Sequence, residues 1–232
     1  VTHDIVDYTF SKAFVKPGTT TTTDIEWCMR EMITALGYSY WFGADVDLQR
    51  KGSSVSRMFH EVIQPGDLLH CDIGLNGRYV HLHTDMQWAA YILKEGETGA
   101  PEEFQVLLDK GNRFREIVME ELKEGVTGND VFACSVKRAK DEGIRPMLYT
   151  HPLGTFGHGA GPSIGQYGNQ GFLPGHGQRP VEDKTCYALE LNVYDDAKIW
   201  DGQQVFMYLE EDICKDGAVE YLDGHQERLL LI

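Results

Sequence analysis

The apolar and polar positions of this chain switch between a helical period and a strand period. In "TTDIEWCMREMITALG" the apolar residues recur at helical spacing, at Ile25, Cys28, Met29, Met32, Ile33 and Leu36. Thr23 and Glu26 predict a capping box at the start of this helix, and Gly37 predicts its end. Strand-like runs follow in "YWFGADV", "DLLHCDIGL" and "RYVHLHTDMQWAAYIL".

The same order of elements returns in the second half. "LKEGVTGNDVFACSVKRAKDEGI" aligns with "VKPGTTTTTDIEWCMREMITALGY", and a helical stretch precedes each copy, at residues 3–14 and 102–122. The second copy is followed by the strand-like runs "TCYALELNVY" and "QQVFMYLEEDIC". The pattern predicts a duplicated helix–helix–strand–strand unit, over about 3–93 and 102–222, in one α+β domain of residues 1–232.

Composition narrows the choice of partners. The formal net charge is −15, from 21 basic and 36 acidic residues, which argues against a nucleic-acid or anionic-membrane surface. Five cysteines, with no CxxC spacing, favour free thiols and hence a reducing, cytoplasmic location. The chain starts at Val1 instead of Met, so we expect a processed chain or an excised fragment.

Four carboxylates interrupt the apolar strands: Asp72, Asp85, Glu190 and Glu210. A single carboxylate in an alternating strand is expected to face water, but four in four strands favour a cation site. With His151 they form an oxygen and imidazole ligand set suited to Mn²⁺, Co²⁺, Fe²⁺ or Zn²⁺. Five ligands exceed the need of one catalytic ion and match two ions about 3.5–4 Å apart.

His151 and His158 lie seven residues apart in the glycine-rich "THPLGTFGHGAGPSIG". In an extended strand they would point to opposite faces, so both reach one cavity only if the backbone turns between them. Gly154 and Gly157 allow that turn. The segment lacks the GK[ST] ending of a phosphate-binding loop.

The motifs "CDIG", "TDMQ", "HPLG…H", "ALELNV" and "LEEDI…DG" together resemble the pita-bread metallopeptidases, which include prolidase, Xaa-Pro aminopeptidase and methionine aminopeptidase. The resemblance covers nearly the whole chain and is greatest to the prolidase type. It implies a curved, mostly antiparallel sheet, a short peptide substrate and a homodimer. It also implies two divalent metal ions, with Mn²⁺ expected first.

The resemblance assigns a role to each matching residue. Asp72 would bind one ion, and His151 would bind the other. Asp85 and Glu210 would bridge both ions. Glu190 would bind the second ion and also transfer a proton, while His158 would contact the substrate. Arg179 loosely matches an arginine that lies near the substrate carboxylate in prolidase-like enzymes.

Several positions depart from the family pattern. Asp72 and Asp85 are thirteen residues apart, wider than usual, so we expect an irregular turn or bulge between Gly74 and His83. A tight type I′ turn at Asn76–Gly77 would instead place His81 opposite Asp72, which makes His81 and His83 possible additional ligands. Ser54 occupies the position of an upstream catalytic histidine, and Trp88 that of an arginine. We expect His70 on the outer strand face and Glu211 in solvent.

These observations favour an Xaa-Pro dipeptidase or aminopeptidase. A methionine aminopeptidase fits the "LEED" motif and Ser54 less well. Two alternatives from other classes stay open. One is a pita-bread protein that binds peptides or partners without cleaving them, and the other is a creatinase-like amidinohydrolase.

Overall fold

The computed structural model describes all residues, 1–232, and contains four α-helices. They are α1 (Thr2–Thr9), α2 (Thr22–Ala35), α3 (Glu102–Glu121) and α4 (Gly128–Asp141). None of them combines the length and the apolar character needed to cross a membrane.

The strands form three mostly antiparallel sheets. The first half contributes β1 (Ser39–Tyr40), β2 (Asp45–Gln49), β3 (Leu68–Ile73), β4 (Leu75–Asn76) and β5 (Met86–Tyr91). The second half contributes β6 (Pro146–Leu153), β7 (Ile164–Gly165), β8 (Thr185–Ala188), β9 (Leu191–Ala197), β10 (Gln203–Leu209), β11 (Asp212–Asp216), β12 (Ala218–Tyr221) and β13 (Leu230–Leu231).

Each half of the chain packs its own pair of helices against its own sheet. One sheet has the order β13-β5-β3-β2, and the larger one has the order β10-β9-β6-β8-β11-β12 with β7 beside β6. One buried apolar cluster joins α1 and α2 to the first sheet, and another joins α3 and α4 to the second. The α+β class is therefore confirmed, while the duplication stays a prediction.

Strand alternation separates the two faces of the first sheet. Leu69, Cys71 and Ile73 of β3 lie in the core beneath α1 and α2. The intervening side chains, His70 and Asp72, therefore face the second half of the molecule. The face that carries His70 and Asp72 is the one that meets the second half, and Leu68, Ala89 and Tyr91 on it join the apolar cluster of that half.

The cap of α2 differs from the sequence prediction. The N-cap residue is Thr21, whose side chain accepts from the Asp24 backbone N–H while Asp24 accepts from the backbone N–H of Thr21. Thr23 and Glu26 do not form the capping box, because the helix starts two residues earlier than that box requires. Gly37 does end the helix, with φ of 82°.

The β3–β5 hairpin absorbs its extra length at the tip. Asn76 pairs with His83 in the same register that pairs Ile73 with Met86, so no residue bulges out of the ladder. The Gly77 N–H donates to the Leu82 carbonyl at 2.7 Å and closes a loop of residues 78–81. The type I′ turn at Asn76–Gly77 does not form.

Thr21→Ala should destabilise the protein by about 1 kcal/mol, because it removes an N-cap acceptor and leaves a helix N–H unpaired. In a chain of this size that corresponds to a melting temperature lower by roughly 2–4 °C. Thr23→Ala is the matched control, since the Thr23 hydroxyl pairs only with the exposed His60 ring. Equal melting temperatures for the two variants would contradict the assigned cap.

Candidate metal centre

The five candidate ligands come from both sheets and meet where the sheets join. Asp72 lies in β3, Asp85 directly before β5, and His151 in β6. Glu190 occupies the break between β8 and β9, and Glu210 the break between β10 and β11. Three of the four carboxylates therefore sit where a strand starts or is interrupted.

One backbone bridge joins the two sheets at this point. The Gln87 N–H donates to the Glu210 carbonyl at 3.2 Å, and the Glu210 N–H donates back at 3.4 Å. Gln87 stands directly opposite Asp72 in the β3–β5 ladder. The bridge therefore brings Glu210 of the second half close to Asp72 of the first half.

The side chains converge on one small volume. His151 Nε2 lies 3.6 Å from Asp85 Oδ2, 3.7 Å from Glu210 Oε1 and 3.9 Å from Glu190 Oε2. Asp85, His151 and Glu210 form one group of potential ligands within 4.8 Å, and Asp72, Glu190 and Glu210 form a second. Glu210 belongs to both groups.

The donor set fits divalent cations. Asp72 Oδ1, Asp85 Oδ1 and Glu210 Oε1 are buried and have no hydrogen-bond partner, which is costly for carboxylate oxygens unless a cation pairs with them. Two atoms bound about 2.0–2.2 Å from a common ion lie roughly 3–4.3 Å apart. The separations around His151 are of this size and are too long for hydrogen bonds.

Burial and mutual repulsion disfavour the charged forms of these carboxyls. Burial raises the pKa of Asp72 to about 6, while His70 and Arg57 oppose the shift. Burial, with the charge of Asp72, raises the pKa of Glu190 to about 8. Burial and neighbouring carboxylates hold the pKa values of Asp85 and Glu210 well above their ordinary range.

The pKa of the His151 imidazole is lowered instead of raised. Burial, reinforced by the nearby His158, lowers the pKa of His151 to about 4. The ring is therefore neutral at physiological pH, which is the form that binds metal ions. The two rings are perpendicular, with centroids 4.4 Å apart.

A cavity of about 780 Å³ opens above the cluster, and most of its lining is polar. Asp72, His151 and Glu190 lie in its wall, and His158 and Arg57 lie there too. Its outer part is formed mainly by the segment between β6 and β8, with Ser163, Gln166, Tyr167, Asn169 and His176. The cluster is thus accessible to a small polar molecule.

Comparisons with known proteins agree with this architecture. The family model described as metallopeptidase family M24 matches residues 1–218. This chain belongs to the M24 metallopeptidase family. No curated protein sequence shows a significant match to it.

Solved structures of similar fold carry peptidase names. An X-Pro aminopeptidase from Thermotoga maritima matches with a TM-score of 0.74 and 17% identity, over 100% of this chain and 60% of its own. A Xaa-Pro dipeptidase from Bacillus anthracis matches with a TM-score of 0.72 and 16% identity, over 99% of this chain and 60% of its own. A methionine aminopeptidase from Rickettsia prowazekii matches with a TM-score of 0.66 and 14% identity, over 95% of this chain and 90% of its own. The M24 chain described here therefore has the pita-bread fold and spans about 60% of the first two proteins.

Three residues named from the sequence lie outside the cluster of this M24 domain. Arg179 is exposed beside α4 and does not line the cavity. His81 is exposed at the hairpin tip, with φ of 50°. His83 contacts the Gly154 carbonyl instead of a carboxylate, with Nδ1 at 3.0 Å.

Two expectations about neighbouring residues were wrong. His70 is buried beside Asp47 and Gln87, because residues two apart in a strand share a face and His70 therefore faces the same way as Asp72. Glu211 is only 3% exposed and accepts a hydrogen bond from the Trp88 indole. It is buried because the N-terminal helix, through His3, covers that face.

Sequence reasoning also missed Gln87 and Asp212. Gln87 touches two of the candidate ligands, and Asp212 accepts from the Asp85 backbone N–H at 3.2 Å. Gln87 stood within the quoted "TDMQ" motif, and Asp212 within "LEEDI". A polar residue two positions from a ligand on the same strand was the available signal.

The metal-free protein should lose stability as pH rises from 6.5 to 9. Carboxyls with raised folded pKa values bind protons more tightly in the native state, so unfolding becomes easier as pH passes through those values. His151 opposes this trend only in the lower part of the range, because above about pH 7.5 its ring is largely neutral in both states.

Thermal melts of EDTA-treated protein across this range test the expectation. The melting temperature should fall with pH by roughly 2–4 °C for each kcal/mol lost, and Glu190→Gln should flatten the slope. Added Mn²⁺ should restore stability at pH 8. A flat profile in the metal-free wild type would show that these carboxyls are not mutually buried.

Proposed function

We propose that this chain is the catalytic domain of a dinuclear divalent-metal peptidase that cleaves short Xaa-Pro peptides. The observation that carries the proposal is the convergence of four carboxylates and a neutral imidazole, with three buried oxygens unpartnered, beside a cavity that Asp72, Glu190 and His151 line. Membership of the M24 family supports metal-dependent peptide hydrolysis. The names of the similar structures support the Xaa-Pro preference.

The proposed ligand roles follow the two groups in the cluster. Glu210 belongs to both groups, which supports its role as a bridging ligand. Asp72 would hold one ion, His151 the other, and Asp85 would bridge with Glu210. Glu190 groups with Asp72 and also lies 3.9 Å from His151, so it is placed to reach either ion. The ions, when bound, would supply an activated water nucleophile and polarise the scissile carbonyl.

Two side chains of the domain are placed for proton transfer and substrate contact. Glu190 lines the cavity, so its carboxylate lies within reach of a bound substrate and is proposed to accept and return a proton during the reaction. His158 is exposed in the same cavity beside His151. We assign it to hydrogen bonding with the substrate carbonyl or leaving amine.

The substrate carboxylate is proposed to meet Arg57 instead of Arg179. Arg57 is the one Arg or Lys side chain in the cavity wall, and it is held there by its ion pair with Asp47 at 2.6 Å. A guanidinium next to a metal cluster suits a peptide short enough for its free C-terminus to reach it. Recognition of this kind favours dipeptides over longer chains.

Mn²⁺ is the proposed metal, because an oxygen-rich ligand set with one imidazole suits it well. A homodimer is proposed from the family resemblance, and a cytoplasmic location from five cysteines that are all free thiols.

One observation favours the non-catalytic alternative. Ser54 is exposed, and the neighbouring His60 turns outward to Thr23, so no histidine from this segment lines the cavity. A domain lacking that proton donor could bind peptides without cleaving them. Measured turnover separates the two functions.

The purified protein should contain or take up two equivalents of Mn²⁺ and should then hydrolyse Xaa-Pro dipeptides. EDTA should abolish turnover, and Mn²⁺ should restore it. Metal analysis together with an amine-release assay gives both quantities. Metal uptake with no hydrolysis of any Xaa-Pro di- or tripeptide would favour the binding function, and no uptake would rule out the metal centre.

Paired histidine variants extend the same test. His151→Ala should reduce the bound metal, because carboxylates would be left facing each other without a ligand to complete the site. His158→Ala should keep the metal and lower turnover by roughly 10²–10⁴-fold. Equal metal loss in both would make His158 a ligand too, and unchanged turnover in His158→Ala would make its role structural.

Arg57→Gln should raise the KM for free-acid Xaa-Pro dipeptides by roughly 10-fold or more, because a charge-assisted hydrogen bond to the substrate is lost. The C-terminal amides of the same peptides serve as controls, since they carry no carboxylate, and their KM should change little. Equal effects on acids and amides would show that Arg57 acts through the fold.

A further inference from the structure

Gln87 is the residue outside the ligand set that touches two of its members through one functional group. Its side-chain Nε2 donates to Glu190 Oε1 at 2.7 Å and to Glu210 Oε2 at 2.9 Å. Only 3% of the residue is exposed, and its backbone pairs with that of Glu210. Gln87 is therefore tied to the cluster by side chain and main chain together.

The orientation of the amide follows from its neighbours. Gln87 Oε1 lies 3.0 Å from His70 Nε2, and His70 Nδ1 lies 2.9 Å from Asp47 Oδ2. If the amide were turned over, its oxygen would face two carboxylates, which donate nothing when ionised. In the observed orientation both amide hydrogens go to the glutamates, and the amide oxygen faces His70 Nε2, which donates to it when both ring nitrogens carry hydrogen, because Nδ1 faces the Asp47 carboxylate.

The amide also determines which glutamate oxygens face the cluster. One oxygen of each glutamate accepts from Gln87, and the other points to His151 Nε2, at 3.7 Å for Glu210 Oε1 and 3.9 Å for Glu190 Oε2. Glutamate side chains have several rotatable bonds, and two neighbouring carboxylates repel each other. The Gln87 amide, which donates to both carboxylates, restricts their rotation and offsets part of their repulsion.

We propose that Gln87 is a positioning residue that aims the Glu190 and Glu210 carboxylates into the metal site, with His70 and Asp47 fixing its orientation. The proposal rests on the metal site proposed above. Partners of metal ligands of this kind typically change metal affinity by about 10–100-fold when they are removed. The same range is expected here.

Gln87→Leu should therefore weaken Mn²⁺ binding by roughly 10–100-fold, measured by titration calorimetry on metal-free protein. The matched control is Gln49→Leu. Gln49 is also a buried glutamine that joins the two halves, through hydrogen bonds of 2.7 and 2.9 Å to the Phe206 backbone, but it touches no candidate ligand. It should lower thermal stability and leave the Mn²⁺ affinity unchanged.

A second pair of variants keeps the test valid if Gln87→Leu does not fold. His70→Leu removes the donor that orients the amide and should also weaken Mn²⁺ binding, whereas His70→Gln retains a donor and should recover part of the affinity. Wild-type affinity in Gln87→Leu or in His70→Leu would overturn the proposal, as would equal losses in Gln87→Leu and Gln49→Leu. If the wild type itself binds no divalent metal, the proposed function fails instead.

Discussion

The rest of this structure depends on holding four mutually repelling carboxylates, Asp72, Asp85, Glu190 and Glu210, in one buried place. Each raises the free energy of the others' ionised forms, and their burial limits the water that could screen them. No single strand could hold all four, since its side chains alternate between two faces. The fold distributes them over two sheets, with Asp72 and Asp85 in the first half and Glu190 and Glu210 in the second. All four carboxylates therefore come close together only where the two halves pack against each other.

The contact between the halves therefore sets the geometry of the site. Gln87 and Glu210 exchange two backbone hydrogen bonds across this contact. Behind each sheet lies a separate apolar core with its own helix pair. The apolar cluster of the second half also includes Leu68, Ala89 and Tyr91 of the first sheet, so the halves are packed together as well as hydrogen-bonded. Because interiors are close-packed and resist small shifts, two packed halves position ligands more precisely than a flexible loop could.

Much of the fold was predictable from the sequence, because helical and strand periods are properties of neighbouring residues. The α2 helix and the convergence of Asp72, Asp85, His151, Glu190 and Glu210 followed from periodicity and from the five-motif resemblance. The start of α2 at Thr21 was harder, since several consecutive threonines offer equivalent caps. The burial of Glu211 could not be read from strand alternation, because it depends on α1 covering the face of a distant strand. The position of Arg57 likewise depends on how a loop of the first half folds over the second.

The candidate ligands and the segment 50–60 differ in how closely they follow the family pattern. The five candidate ligands match the motifs of the resemblance, and the proposed dinuclear site would supply the chemistry of two cations beside a neutral imidazole. The wall from residues 50–60 departs from that pattern, with Ser54 in solvent and Arg57 in the cavity. Arg57 also ends the hydrogen-bonded chain that runs through Asp47, His70 and Gln87 to the glutamates. A substrate carboxylate that binds Arg57 would compete with Asp47 for the same guanidinium. The proposed substrate recognition by Arg57 would thereby be linked, through this chain of hydrogen bonds, to the orientation of the Glu190 and Glu210 carboxylates.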